Sequence, residues 1–428
     1  MGLILSTSSV PPTETSTPIV PESAGSPLQD AEARERCIPI RPADLDRLLL
    51  AEPDLSPSDR THLKQLGRVL GAVFHYEYLD WLRELKDLYA PLDPDSDCID
   101  IEGASTHLTE EADEAFLKPF EAALIRANYR PLPREILEQA IRAPNELGLN
   151  YVPNLSLFEH LKVYARGNTR VRRVVRNLQT RFRKREVVYN GYQRLIVALK
   201  FKPDCKLDHY VRSDVLYLRL FKDVPHVDME MHLPEQGTKV QMRWIDKAQI
   251  ASPLVAFPAG LAMKLLGAAL IGLTVPTLAV GSLVAAPVTA SVNSFFGFQR
   301  AKQKHLHYMI RHLYYLTLAN NTSVITRLID SAEEEEYKEA LLAYNFLWRH
   351  RDDPEPWDRT RLDAAIEEFL RRKLGLDLDF EVGDALNKLL RLGLVQADAQ
   401  GRLLAAPIEQ ALAILDARWD DYFRYAGK

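Results

Sequence analysis

The chain has 428 residues, of which 46% are hydrophobic and 26% charged, and its formal net charge is −5. This length suits two or three domains with cores of their own, and the slight negative balance excludes an overall attraction for polyanions. The three cysteines, Cys37, Cys98 and Cys205, are widely separated, which excludes a disulfide framework or a Cys-rich zinc cluster and suits a reducing compartment.

Residues 1–36 are predicted to be a disordered tail. The first thirty contain no Lys or Arg and are rich in Ser, Thr and Pro. They lack the basic start and apolar run of a secretory signal and the arginines of a transit peptide. We therefore expect the protein to stay in the compartment where it is made.

Residues 37–160 are predicted to form a helical domain. Apolar residues three and four apart mark helices in DLDRLLL and in RVLGAVFHYEYLDWLRELKDLYAPLD. The stretch DPDSDCID, beginning at Asp93, has acids at its first, third and fifth positions, as a calcium-binding loop does. Its sixth position is Cys98, where such a loop needs glycine, so an acidic turn is the favoured interpretation.

Residues 161–185 are predicted to form a basic amphipathic helix. Ten basic residues and no acid lie between Lys162 and Arg185, with valines on one helical face. Such helices bind anionic membrane surfaces. A solvated helix paired with acids elsewhere is the alternative, and a nucleic-acid backbone is the least favoured partner. The candidate lipid-surface contacts are Arg170, Arg172, Arg173, Arg176, Arg181, Arg183 and Lys184.

Residues 186–248 are predicted to form a small, mostly antiparallel β-sheet. EVVYNGYQRLIVALKF and SDVLYLRLFKDVP alternate apolar with polar residues and are rich in β-branched and aromatic side chains. Asp223, Asp228 and Glu230 lie close together in this region. A carboxylate pair could do acid–base chemistry, but no nucleophile or metal-ligand spacing accompanies them, and surface charge is the favoured interpretation.

Residues 252–298 contain the longest apolar run and are predicted to form a transmembrane helical hairpin. A membrane span needs roughly 20 apolar residues, and Pro276 marks a turn between two segments of that length. Lys and Arg on both flanks place both ends in the cytoplasm. The alternatives are a buried helical hairpin in a protein core and a single span over Leu265–Ala290.

Lys264 is the one charged residue inside the apolar run and is a candidate intramembrane polar site. A lysine at mid-bilayer is costly. It either extends its side chain to the interface, lies before a helix that begins later, or contacts an anionic lipid or a buried carboxylate.

Residues 299–350 are predicted to be helical. AEEEEYKEALLAYNFLW places Tyr337, Leu341, Tyr344 and Trp348 on a core stripe, with its glutamates in a first helical turn, where the helix dipole favours anions. Nearby histidines lack the spacing of metal ligands.

Residues 357–426 are predicted to form two helices followed by a β-hairpin, which is the plan of a winged-helix-like module. Its acidic balance favours protein over nucleic acid as a partner.

Six segments in order give the chain a family resemblance. They include IPIRPADL at 38–45, ARGN at 165–168, LYLRLFKDVPHVDMEMHLPEQGTKVQMRWIDK at 216–247 and DFEVGDALNKLLRLGLV at 379–395. In these the chain resembles the transmembrane protein 143-like family, membrane proteins with a domain of unknown function. The resemblance implies an integral membrane protein with paired helices and supplies no activity, cofactor or catalytic residue.

The sequence therefore predicts an α+β membrane protein, in which a helical N-terminal domain, a mostly antiparallel sheet, a transmembrane hairpin, a helical segment and a winged-helix-like module follow one another. We expect a non-enzymatic membrane-anchored scaffold or adaptor with cytoplasmic domains, in a bacterial inner membrane. The alternatives are an enzyme acting on a lipid or membrane-embedded substrate, and an oligomeric channel or transporter subunit. No catalytic, cofactor or metal residues are predicted. The expected partners are membrane lipids and an unknown protein bound by the C-terminal module, not nucleic acid, with a homo-oligomer left open.

Overall fold

The computed structural model describes residues 34–97, 110–142, 150–152, 154–175, 185–205, 207–226, 239–241 and 313–424, with a few single residues between 229 and 310. The helices are α1 (Pro42–Leu50), α2 (Pro57–Tyr89), α3 (Glu110–Arg126), α4 (Arg134–Arg142), α5 (Thr322–Arg349), α6 (Arg359–Leu374), α7 (Val382–Leu392) and α8 (Ile408–Asp421). The strands are β1 (Arg130–Pro131), β2 (Asn150–Val152), β3 (Phe158–Val175), β4 (Arg185–Phe201), β5 (Tyr217–Pro225), β6 (Lys239–Gln241), β7 (Thr317–Asn320), β8 (Val395–Ala397) and β9 (Leu403–Ala405).

Local sequence signals account for several helix ends. The hydroxyl of Ser56 accepts a hydrogen bond from the backbone N–H of Asp59 at the start of α2 (3.1 Å), and Pro57 occupies the first helical position. Asp358 caps α6 in the same way. Helices α6 and α7 both end at a glycine with positive φ, Gly375 and Gly393, a conformation that other residues adopt at a cost.

The central sheet is antiparallel throughout. Its five strands run in the order β1-β3-β4-β5-β7, and β3 and β4 form its long central pair. Strand β7 is far from β5 in sequence but lies beside it, with Arg219 opposite Asn320. Short strands β2 and β6 form a separate pair. The chain is thus an α+β protein with an antiparallel sheet that begins well before the predicted 186–248.

Helices cover one face of this sheet. Side chains from β3, β4, β5 and β7 pack there against the second half of α2, against α3 and against the first half of α5. We call this buried set the sheet–helix core, and Phe116, Phe120 and Leu328 are among its fully buried members. The opposite face is covered by α4 and adjoining loops around Phe158, Phe201 and other apolar residues.

A second large core lies on the first half of α2 and the second half of α5. It joins them to α1 and to the C-terminal module, which consists of α6, α7, the hairpin β8–β9 and α8. We call this set the module core, and Leu70, Tyr344 and Ile366 are fully buried in it. Because α2 and α5 each contribute to both cores, these two long helices run antiparallel through the molecule.

The membrane part of the predicted fold class is wrong. Among the helices that the structure describes, none combines the length and the apolar character needed to cross a membrane. This finding overturns the prediction of an integral membrane protein, and with it the inner-membrane localisation. The predicted hairpin at 252–298, including Lys264, lies outside the described residues apart from Phe296. The prediction rested on the length of one apolar run, and run length alone does not distinguish a span from other buried segments.

The basic segment is also corrected. Residues up to Val175 belong to strand β3 and pair with β4, for example Val171 with Tyr189. The predicted amphipathic helix at 161–185 is therefore a strand over its described part. Alternating Arg and Val fits a strand as well as a helix, and β-branched valines favour the pleated sheet. Pairing with β4, which is only one residue shorter, decides the outcome.

Candidate functional site

A groove lies between the middle of α2 and the C-terminal module, with a volume of about 880 Å³. Helices α2 and α8 form its main walls, and the ends of α3 and α7 contribute one arginine each. The lining residues are Tyr76, Glu77, Tyr78, Asp80, Trp81, Arg126, Arg391, Arg418, Asp421, Tyr422 and Arg424.

Helical spacing places these residues on common faces. On α2, Glu77 and Trp81 are four apart, and on α8 Arg418 and Asp421 are three apart, so each pair points to one side of its helix. Arg391 lies in the last turn of α7. The groove therefore depends on the docking of α8 and α7 against α2.

Glu77 is the ionic centre of the groove. Its carboxylate accepts hydrogen bonds from Arg391 Nη2 (2.7 Å), from Arg418 Nη2 (3.4 Å) and from the Tyr422 hydroxyl (2.8 Å). Burial by itself would raise the pKa of Glu77, but these donors outweigh burial and lower it below 4.5. Glu77 therefore stays ionised and connects the module helices α7 and α8 to α2.

An aromatic cluster borders the ionic centre. The ring of Tyr76 lies 4.5 Å from that of Tyr422 and 5.3 Å from that of Phe423, centroid to centroid, and Trp419 packs at its edge. Phe423 is 49% exposed, so this cluster reaches the surface. Across the groove, the Arg126 guanidinium lies 4.9 Å from the Trp81 ring, within range of a cation–π contact.

The composition of the groove resembles that of a protein–protein interface. Eight of its eleven lining residues are Tyr, Trp or Arg, the types enriched at the energetic centres of protein interfaces. Its carboxylates are already paired: Glu77 as described, Asp421 with Arg424 (3.0 Å) and Asp80 with Arg83 (3.5 Å). Among the eleven described residues that line it there is no Ser, Thr, Cys or His to serve as a nucleophile.

The acidic run on α5 differs from its prediction. Helix α5 begins at Thr322, so the glutamates lie mid-helix and not in a first turn, and Glu335, Glu336 and Glu339 are buried. Glu335 accepts hydrogen bonds from the Cys37 thiol (3.2 Å), from the Ile38 N–H (3.1 Å) and from Lys338 Nζ (2.8 Å). These glutamates hold the N-terminal segment and the module onto α5.

The buried position of Cys37 disfavours the thiolate form of its side chain. Burial is the main reason that its pKa is raised, to about 12, and the nearby Glu335 carboxylate adds to the effect. A thiol must lose its proton to act as a nucleophile. Cys37 therefore acts here as a structural donor.

The structure places few of the sequence-predicted site residues. Of the candidate lipid contacts, Arg170 and Arg172 are exposed on β3. Arg173 lies on the same strand, and Arg176, Arg181, Arg183 and Lys184 lie outside the described residues. Of the three acids considered for catalysis only Asp223 is described, on β5 with a positive φ of 49°. None of these residues lines the groove.

Sequence reasoning missed the groove because its residues come from four distant segments. One local signal was available: HYEYLDW interrupts the apolar stripe of α2 with Tyr76, Glu77 and Trp81. A charged and aromatic patch in the middle of a long amphipathic helix indicates a second contact surface. Only the packing of α8 shows which partner helix it receives.

One protein family matches part of the chain. Its description is "Protein of unknown function (DUF3754)", and the match covers residues 172–323, less than half of the chain. No solved structure matches the chain. The groove residues lie outside the matched range, and the resemblance to the transmembrane protein 143-like family gains no support from this match and stays a prediction.

Proposed function

We propose that this chain is a non-enzymatic scaffold or adaptor that binds a protein partner in the groove between α2 and the C-terminal module. The observation that carries the proposal is the composition of the groove, which is dominated by Tyr, Trp and Arg. These side chains offer large contact area with few rotatable bonds and a polar tip, and they dominate binding energy at interfaces.

The framework around the groove supports binding without rearrangement. The module core joins the C-terminal module to α1, α2 and α5, and Leu70, Leu389 and Leu415 are fully buried in it. Ionic contacts at Glu77 hold the module helices from the groove side. A preformed surface loses less conformational entropy when a partner binds.

The charges of the module favour a protein over a nucleic acid. On α7 the basic residue Lys388 points inward, and its Nζ lies 2.8 Å from Glu339 and 3.7 Å from Glu336. The exposed side of α7 carries Asp384, Leu390 and Arg391, and Arg391 is paired with Glu77 at 2.7 Å. A DNA-reading helix needs free basic residues for the phosphates.

Site-specific photo-crosslinking tests this proposal. A photoreactive phenylalanine analogue replaces Asp80, which is exposed at the groove rim, in the full chain expressed in its native host. We expect a discrete crosslinked protein species at position 80. A second chain that also carries Trp81→Ala should give that species in much lower yield, because a central interface aromatic contributes roughly 2 kcal/mol or more.

The matched control places the same analogue at Arg372, exposed on α6 and away from the groove. Position 372 should give no such species. Crosslinks of equal yield from both positions, or a position-80 species that survives Trp81→Ala in a chain with unchanged circular dichroism, would contradict binding in the groove.

A further inference from the structure

The helix-covered face of the sheet carries a row of three cations. Arg166 on β3 lies directly opposite Arg194 on β4, and Arg194 lies directly opposite Lys222 on β5. Opposite residues of antiparallel strands project from the same face, so the three side chains are neighbours. Like charges in this position repel one another and cost stability. The row therefore needs a compensating negative charge.

Described residues supply only part of that charge: the Glu335 and Glu35 carboxylates favour the charged form of Arg166, but from beyond ion-pair distance. No carboxylate oxygen of a described residue lies within 4.0 Å of the charged nitrogens of Arg166, Arg194 or Lys222. Most arginines of the C-terminal module, by contrast, have a carboxylate partner, such as Arg361 with Asp353 at 3.1 Å. The cation row thus stands apart from the ionic pattern of the rest of the structure.

A cavity of about 610 Å³ opens beside the row. Arg166 and Arg194 line its sheet side, and helix α5 lines the opposite side with a third arginine and with hydroxyl groups. The α5 residues that could donate to a ligand are Ser323, Thr326, Arg327 and Ser331, and they alternate with the acidic residues Asp330 and Glu334. Arginine and hydroxyl donors that face one cavity form the donor set that binds phosphate oxygens in proteins.

Arg166 is held in place and keeps free donors. Its Nη1 donates a hydrogen bond to the Ala127 carbonyl oxygen (3.0 Å), and its guanidinium carbon lies 5.0 Å from the Tyr129 ring centroid. Its Nε is buried and has no hydrogen-bond partner among the described residues. A buried donor without a partner is costly. A bound anion would satisfy it.

We propose that this cavity binds a small oxyanion of the phosphate class. Arg166 and Arg194 contact it from the sheet, while Arg327 and the α5 hydroxyls contact it from the helix. Asp330 and Glu334 also line the cavity, and like Arg327 they are exposed on α5, where water screens the charges of all three. They lower the affinity without occupying the sheet side. The site is separate from the groove and does not depend on the proposed adaptor role.

Isothermal titration calorimetry with inorganic phosphate tests the site on the full chain, in chloride buffers of constant ionic strength. We expect saturable binding, and roughly tenfold weaker binding after Arg194→Gln, because one charge-assisted hydrogen bond is lost. Asp330→Asn should strengthen binding, since it removes a repulsive charge. Arg372→Gln, an exposed arginine on α6 outside the cavity, should bind phosphate as the unmodified chain does.

A second variant protects the test against misfolding. Arg327 is exposed on α5, so Arg327→Gln should retain the fold, shown by circular dichroism, and still weaken phosphate binding. Glycerol phosphate distinguishes the source of the anion: binding tighter than that of phosphate identifies an organic phosphate, and weaker binding identifies the free ion. The proposal would be overturned if the unmodified chain did not bind phosphate. It would also be overturned if Arg194→Gln and Arg327→Gln both bound phosphate as tightly as the unmodified chain does.

Discussion

Glu339 shows how a single buried carboxylate couples this fold to pH. It lies on α5 with 4% of its surface exposed, and its nearest cation is Lys388 Nζ at 2.8 Å. Burial raises the pKa of Glu339 to about 7, and the neighbouring carboxylates Glu335 and Glu336 add to the rise, while Lys388 opposes it. Between about pH 4.5 and 7 this residue therefore carries a proton that an unfolded chain would release.

We predict that Glu339 makes the protein less stable as pH rises from about 4.5 to 7. In this range the unfolded state releases its proton and the folded state retains it, so the free energy of unfolding falls with pH. Glu339→Gln should remove this contribution, and the variant should gain stability relative to the unmodified chain by a few kcal/mol across the range. Urea denaturation at several pH values measures the difference.

The control for this prediction is a glutamate that is exposed to solvent. Glu368 lies on the surface of α6, and Glu368→Gln should leave the pH dependence unchanged. If the stability curves of Glu339→Gln and the unmodified chain ran parallel from pH 4.5 to 7, the proton on Glu339 would not be retained in the folded state.

At the scale of elements, the start of α5 is fixed by the acidic turn after α2. Asn321 precedes the helix with a positive φ of 49°, and its side-chain oxygen accepts a hydrogen bond from the Leu218 N–H (3.2 Å). Its amide donates to Asp95 (2.6 Å), and the Thr322 hydroxyl donates to Asp93 (2.5 Å). The acidic residues that resemble a calcium loop thus act as acceptors that join α2, β5 and α5.

We predict that Asn321→Ala lowers the free energy of unfolding by about 2 to 4 kcal/mol. The variant leaves the Leu218 N–H without its acceptor, and alanine has no side-chain hydrogen bonds to offset the strain of a positive φ. Urea denaturation followed by circular dichroism measures the loss. Asn321→Gly removes the same hydrogen bonds but tolerates the backbone conformation, so it should lose less. A loss from Asn321→Gly as large as that from Asn321→Ala would exclude backbone strain as a cause.

The elements themselves were predicted unevenly. The β-branched and aromatic residues of β4 and β5 indicated both strands and an antiparallel sheet, although the two faces of the sheet are both covered and Leu195–Leu199 are all buried. The same reasoning failed for β3, where Arg170, Val171 and Arg172 fit a helical face equally well. Its strand state depends on the partner β4, which pairs with it along nearly its whole length, and no local pattern contains that partner.

At the scale of the whole molecule, α2 and α5 join the two large cores. Leu70 of α2 is fully buried in the module core, whereas Leu328 of α5 is buried in the sheet–helix core. Each helix also contributes residues to the other core. Loss of one core would leave half of each helix without its apolar contacts, so the two cores stabilise each other.

We predict that the two cores unfold in one cooperative transition. Leu70→Ala and Leu328→Ala should each lower the free energy of unfolding by about 2 to 5 kcal/mol, and each should move the same urea transition, whether followed by circular dichroism or by tryptophan fluorescence. Leu390→Ala, at an exposed position of α7, is the control and should change little. Two separate transitions, each sensitive to one of the variants, would show that the cores are independent.

The sequence by itself determined the local features of this protein. Helical and strand periods, the Ser56 and Asp358 caps and the glycines after α6 and α7 arise from backbone geometry and from neighbouring residues, so they can be read from short segments. The membrane prediction failed because the length and composition of one apolar run do not specify what surrounds it.

Only the tertiary structure decided where the chemistry lies. Strand register brought Arg166, Arg194 and Lys222 into one row, and helix packing brought Glu77 to Tyr422, 345 residues further along the chain. Helix packing also buried the glutamates of α5, which a local reading left at a helix end. Such contacts depend on register and docking between distant segments, and the free energy that selects them comes from burying surfaces that no single segment contains.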